Sequence, residues 1–277
     1  MTRTPGSANL LLRWARSHPV PAYFALTFAI SWTGAFLLVA PRLLRGESIP
    51  KFTGLMMFPI MLLGPLLAGI ALTALTAGRE GFVCLGARMR RIRVPAPWFL
   101  VLSIPPVLML AVLVLLATFV SPVYAPNRFL IGIAFGLVAG FIEEIGWTGF
   151  ALPAMMRTRT PFAGALLLGL LWSLWHAPVI DDLGTATPHG SYWLAYFLAF
   201  AAAMTAMRIL IAFLFANTDS VLLAQLLHAA STGSLVVFSP ARVSAAQEAF
   251  WYAAYAAALW IVVLLLRAIL GPRLEAR

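Results

Sequence analysis

Two glutamates stand side by side at Glu143 and Glu144 in GLVAGFIEEIGWTGFAL, a run otherwise apolar enough to cross a bilayer. An ionised carboxylate at that depth costs at least about 2.5 to 3.5 kcal/mol on insertion scales, so a pair of them is poorly explained as packing. Paired carboxylates in a low dielectric suit general acid or base work. The structural alternative is a pair neutralised by Arg208 or another cation. Two histidines are also intramembrane. His176 closes LLWSLWHAPV with Gly169, Trp172 and Ser173 on its face, and His228 sits in VLLAQLLHAASTGS with Ala224, Gln225, Ser231 and Thr232 at neighbouring turns. Either histidine alone reads equally well as an interhelical hydrogen bond. Two of them with two glutamates form a constellation able to activate a water, directly by proton transfer or through a bound metal such as zinc. His18 and His189 lie at span margins and read as solvated, Asp181 and Asp182 as an outside loop with no function. Cys84 stands alone, with no metal-ligand spacing around it, and has no assigned role.

The elements that must hold these residues are membrane helices. Of 277 residues, 62% are apolar and 10% charged, and the mean hydropathy is +0.94; a soluble domain is nearer half apolar and a quarter charged. The composition excludes a soluble globular protein and predicts an all-α polytopic membrane protein. A window of about 20 apolar residues crosses the hydrocarbon core, and eight stretches qualify, near 20–40, 53–76, 96–120, 129–153, 161–178, 191–215, 219–238 and 247–270. Pro21, Pro97, Pro161 and the pair Asp219-Ser220 mark helix entries, while Pro59, Pro65 and Pro105-Pro106 are expected to kink their helices. Gly132, Gly136, Gly140, Glu144 and Thr148 recur every four residues on one face of the fourth span. Small residues let a neighbouring helix approach, so the stripe is expected to carry Glu144 into a helix interface, with Glu143, about 100° round, facing an adjacent groove. The longest connection is residues 77–95, and the domain reading is a segment 1–19, one membrane domain 20–270 and a tail 271–277.

Arginine placement sets the expected orientation. With the N-terminus cytoplasmic, the inside segments hold thirteen basic residues, Arg3, Arg13, Arg16, Arg79, Arg88, Arg90, Arg91, Arg93, Arg157, Arg159, Arg267, Arg273 and Arg277. The outside connections hold five, Arg42, Arg45, Lys51, Arg128 and Arg242, and Arg208 falls within a span. Both termini, and hence the segment 1–19 and the tail, are expected to be cytoplasmic in a multi-pass protein of the plasma membrane. The first span reads as a retained anchor. A net charge of +10 would point to nucleic acid in a soluble protein. Here the cations end apolar runs, where anchoring accounts for them, and the expected partners are the bilayer and a membrane-associated substrate.

FIEEIGWTGFALP resembles the first motif, EExxxR, of the CPBP family of intramembrane proteases, which includes CAAX prenyl endopeptidases of the Rce1 type and lysostaphin-resistance proteins. LLWSLWHAP is similar to its second motif, an aromatic residue ahead of a histidine, here Trp172 and His176, and NTDSVLLAQLLHAAST to its third, in which Asn or Asp follows the histidine by four residues. The likeness covers about residues 125–240. It implies an eight-helix fold with a polar cavity open to the cytoplasm or membrane. It further implies that Glu143 and His176 activate the attacking water, that Glu144 supports them, and that His228 polarises the scissile carbonyl or holds the oxyanion. Under a metal mechanism Glu143, His176 and His228 would be the ligands of a zinc ion; the metal-free alternative needs only a poised carboxylate and nearby donors. Two positions depart from the family pattern. Thr148 stands where the arginine of EExxxR belongs and Thr232 where Asn or Asp belongs, so the supporting shell is altered and Arg208 or Arg157 is the cation available to fill in. The functional expectation is an intramembrane endopeptidase. The alternatives are a catalytically inactive scaffold of the same fold acting as a binding or immunity protein, and a proton-coupled transporter, against which stand the three motifs and the lack of an inverted repeat.

Overall fold

A computed structural model describes residues 7–274. Among them no strand occurs, and the helices in chain order are α1 (Ser7–Ser17), α2 (Pro19–Leu43), α3 (Lys51–Met61), α4 (Leu63–Met89), the single turn α5 (Pro97–Leu100), α6 (Ile104–Phe119), α7 (Ile131–Gly146), the short α8 (Leu152–Met156), α9 (Pro161–Trp175), α10 (Trp193–Thr218), α11 (Val221–Val237) and α12 (Ala245–Leu270). Seven helical stretches are long and apolar enough to cross a membrane and α11 is a shorter apolar eighth, in agreement with about eight spans. Entry chemistry follows the sequence. Thr160 caps α9 by accepting from Ala163 N, and Ser220 caps α11 by accepting from Leu223 N.

Three segments carry structure that hydropathy did not show. The connection 77–95 is mostly helix, because α4 runs on to Met89 with one non-helical residue, Gly78 at φ 54°. Polar residues there lowered the hydropathy without breaking the helix, and glycine alone adopts that φ at no steric cost. The N-terminal segment contains α1, which packs along α4 and donates Arg16 Nε to the Leu75 carbonyl at 3.2 Å. At the other end, Leu274 is buried and its carbonyl accepts from Asn217 Nδ2 at 2.7 Å.

Two close helix contacts build the interior. A Cβ at Gly132 would lie 2.9 Å from the Gly233 carbonyl, one at Gly136 2.8 Å from Gly233 Cα, and one at Gly140 2.8 Å from Ala229 N. Glycine therefore lets α7 lie directly on the antiparallel α11. Likewise a Cβ at Gly169 would stand 2.7 Å from Thr205 Cα and 3.2 Å from Arg208 Cβ, so α9 and α10 cross at backbone contact. Towards α2 and α3, Trp175 Nε1 donates to Ser31 Oγ at 2.7 Å, and Ser31 Oγ donates to the Met61 carbonyl at 2.6 Å. Leu115, Ile261, Leu264 and Leu265 remain exposed on the flanks of α6 and α12, where lipid is their natural solvent.

Candidate active site

The glycine contact between α7 and α11 fixes the centre of the site. It sets Glu144 beside His228, whose Nδ1 lies 2.7 Å from Glu144 Oε1. The α9–α10 crossing brings in Arg208: Nη1 donates to Glu144 Oε2 at 2.9 Å and Nη2 lies 2.9 Å from Oε1. Thr148 Oγ1 donates to Glu144 Oε2 as well. The guanidinium is sandwiched further by its cation–π contact with Trp172, at 4.4 Å from the ring centre. All of these groups are buried. Of the two cations named from sequence, Arg208 is therefore the one that stands against the glutamates; Arg157 lies past α8, near Arg16 and Leu75.

Glu143 has a different environment. Its Oε2 accepts from two indoles, Trp147 Nε1 at 2.9 Å and Trp172 Nε1 at 2.8 Å. Its Oε1 has no hydrogen-bond partner and lies 4.0 Å from His228 Nε2. His176 Nδ1 is 2.8 Å from the Trp172 carbonyl. A carbonyl only accepts, so Nδ1 carries the hydrogen and Nε2 is left as the ring's acceptor. Phe58, Trp175 and Phe200 surround that ring and hold its orientation.

These groups end a cavity of about 400 Å³ lined by Glu143, Trp172, His176, His228 and Thr232, a size suited to a small ligand or a few peptide side chains. Its walls are apolar, with Phe58, Phe135, Met204 and Leu235 prominent, and Lys51, Phe129, Gly184 and Ser239 mark its open end. The structure thus brings Glu143, Glu144, His176, His228, Trp172 and Thr148 together, with Thr232 one turn beyond His228 on the cavity wall. The sequence did not single out Trp147. Its i, i+4 spacing from Glu143 was the available signal, lost among nine tryptophans. Trp147 also opens a π-helical turn, Trp147–Ala151, a local irregularity that recurs near functional sites.

A zinc site needs its ligands converging on one point with an open position. Among the described residues no three His, Cys, Asp or Glu side chains are so placed. As positioned, Glu143, His176 and His228 do not form that ligand set.

The marginal polar residues correct two expectations. His189 is buried, stacked on Tyr196, with Nδ1 3.1 Å from Asp181 Oδ1 and Nε2 3.5 Å from Glu248 Oε2. The loop that carries it folds inward, because Glu248 at the start of α12 accepts from Thr185 N at 2.9 Å and Ala186 N at 2.6 Å. Asp181 and Asp182 therefore belong to a fastened loop at the cavity mouth. Burial, with Asp181 adding and Lys51 opposing, pushes the Asp182 carboxyl up to about 6.

Residues 124–234 match the family model described as type II CAAX prenyl endopeptidase Rce1-like. This match makes residues 124–234 an Rce1-like segment. The matched segment contains Glu143, Glu144, Trp147, Thr148, Trp172, His176, Arg208, His228 and Thr232, while the cavity wall also draws Phe58 and Leu235 from outside it. The CAAX prenyl protease 2 of Methanococcus maripaludis is 32% identical over 96 residues, which cover 33% of this chain and 35% of that protein. The matched region thus spans about a third of the length of the curated relative. The Rce1-like segment supplies α7, α9, α10 and most of α11, the four helices that carry the polar groups.

Proposed function

We propose that this protein is an intramembrane endopeptidase that hydrolyses a peptide bond of a membrane-associated polypeptide, with Glu143 as the base that activates water. The observation that carries this reading is the asymmetry of the Glu143 carboxylate. Two indole N–H groups hold one oxygen, and the other, unpartnered, stands across from His228 Nε2 at the cavity end. A buried acceptor left without a donor costs about 1 to 3 kcal/mol unless something fills the place. A water there, bonded to Glu143 Oε1 in the cavity that His176 also lines, is positioned as a nucleophile.

The chemistry then follows from donors and acceptors. The scissile carbonyl lies between the water and His228; Glu143 takes a proton as the water oxygen bonds to the carbonyl carbon; His228, oriented by Glu144 at its Nδ1, donates a hydrogen bond from Nε2 to the developing oxyanion. Collapse of the tetrahedral intermediate returns the proton from Glu143 to the leaving amine. Arg208 and Thr148 hold the Glu144 carboxylate in place, which makes Glu144 a positioning residue. The position of Arg208 also weakens the inactive-scaffold alternative. Thr148 was the first departure favouring it, and a cation from α10 occupies the place where the family's arginine would act. Thr232 keeps one hydroxyl on the wall where the family has an amide or carboxylate.

The test is mass spectrometry of a diverse peptide and prenyl-peptide library incubated with the reconstituted native chain, Glu143→Gln and His176→Ala, each with and without chelator. The reading predicts products with the native chain alone, unaffected by chelator. Cleavage retained in both variants overturns it, and loss of cleavage with chelator returns the metal mechanism.

A further inference from the structure

Away from the cavity, three separate elements meet at a groove that is lined by cations. Residues from 16–21, 75–76 and 154–159 enclose a volume of about 810 Å³, and the charged groups among them are Arg16, Arg157 and Arg159, with His18 beside them. These are the positions at which the apolar stretches 20–40, 53–76 and 129–153 begin or stop, so the groove lies at the depth of lipid headgroups. No carboxylate lines it. Among the described residues the ion pairs of arginine involve Arg42, Arg45, Arg88, Arg91 and Arg208, and none of the three in the groove. Glu80 shares an adjoining groove with Arg157 without pairing to it. The contacts these arginines do make are with neutral groups: Arg16 Nε donates to the Leu75 carbonyl at 3.2 Å, and Arg159 Nη1 to Thr158 Oγ1 at 3.3 Å. Each guanidinium therefore keeps donors for a further acceptor. Gathered like charges repel, and an anion between them relieves the repulsion. Phosphate oxygens match the guanidinium fork best. Anchoring of the spans needs cations at their ends, but it does not need them turned from three elements onto one groove.

The first helix selects among phosphate-bearing anions. His18, at φ −128° and ψ 60°, interrupts the chain before α2, and α1 lies along α4 instead of continuing the span. Leu10, Leu11, Leu12 and Trp14 are exposed on α1, the helix that supplies Arg16 to the groove. A helix with apolar side chains and arginines rests in the membrane interface. A soluble phosphate gains nothing from such a surface, whereas a lipid offers its phosphate to the arginines and its chains to the leucines.

We propose that this groove is a binding site for an anionic phospholipid, whose phosphate is held by Arg16, Arg157 and Arg159 at the junction of α1, α4 and the segment after α8. The site is separate from the cavity and does not depend on the peptidase reading.

The test titrates the full-length protein, in zwitterionic mixed micelles, with phosphatidylglycerol and counts bound lipid by native mass spectrometry. Three variants are compared with the native chain, each shown to be folded by its melting curve. Arg16→Gln with Arg157→Gln and Arg159→Gln empties the groove of charge; Arg157→Gln with Arg159→Gln leaves the bond from Arg16 to α4 in place and serves if the triple variant does not fold; Arg90→Gln with Arg93→Gln and Arg273→Gln removes the same charge elsewhere. A cation near an anionic lipid surface is worth about five-fold in binding, so the groove variants should lose about five-fold per arginine, on the order of 10² fold for the triple variant, while the Arg90, Arg93 and Arg273 variant binds as the native chain does. Equal weakening of the groove and distal variants would reduce the effect to general charge attraction and overturn the site, as would equal binding of phosphatidylcholine. A further arm adds inorganic phosphate or glycerol phosphate at millimolar concentration. Phosphatidylglycerol is expected to stay bound; its displacement would make a soluble anion the ligand and overturn the assignment to lipid.

Discussion

Glu143 and Glu144 are neighbours in the chain with different partners, and that difference is the basis of their assigned roles. Glu144 is engaged by Arg208, His228 and Thr148, whereas Glu143 keeps one oxygen free. Removing the cation leaves a buried carboxylate uncompensated, a change that typically costs about 3 to 5 kcal/mol. Arg208→Met should lower the thermal unfolding midpoint accordingly, and adding Thr148→Arg to that variant should recover part of the loss, since the hydroxyl it replaces bonds the same oxygen. A double-mutant cycle measured by unfolding in detergent checks this; additivity of the two changes would refute the substitution of one arginine for the other. At this scale the sequence was most informative. Charged and imidazole groups inside apolar runs mark themselves by their cost, and Arg208 was visible as an unplaced cation. Trp147 was not, because an indole in a membrane helix usually packs, and only its bond to Glu143 Oε2 distinguishes it from the others.

At the scale of elements, the helix contacts convert sequence neighbours into a site. The small residues on α7 bring its backbone onto α11, and anything larger pushes the helices apart. Gly136→Val should destabilise the protein by at least about 1 to 3 kcal/mol and reduce peptidase activity by separating Glu144 from His228, measured by unfolding and by turnover on the same preparation; unchanged turnover would mean that the contact does not position the site. The glycine period was readable along the chain, but the identity of the partner helix was not. The loop over the mouth was misread for a related reason. His189, Asp181 and Asp182 are polar residues at a span boundary, and burial against Glu248 comes from α12, far along the sequence. Because the folded loop holds the Asp182 proton more tightly than an unfolded chain does, its contribution is present in acid and is lost as pH rises through about 6. The midpoint of native protein should therefore fall between pH 5 and pH 7 by more than that of Asp182→Asn. Equal shifts in the two proteins would remove Asp182 from the account.

For the whole molecule, hydropathy was sufficient to predict an all-α bundle of about eight spans, because each helix must satisfy its own backbone in lipid. What hydropathy does not encode is which end of the bundle is hollow. Every span is apolar on several sides, and the cavity arises from where α3, α7, α9, α10 and α11 diverge. The motif order over 124–234 and the placement of its polar groups around one cavity make the peptidase reading coherent at every level, from the carboxylate oxygen to the bundle. The most direct measurement of it is the rate at which Glu143→Gln cleaves a peptide that the native chain cleaves, on protein shown by its melting curve to be folded. The account predicts a loss on the order of 10² to 10⁴ fold, the contribution of a positioned general base. A rate within a few-fold of native would contradict it and leave Glu143 a buried structural acid.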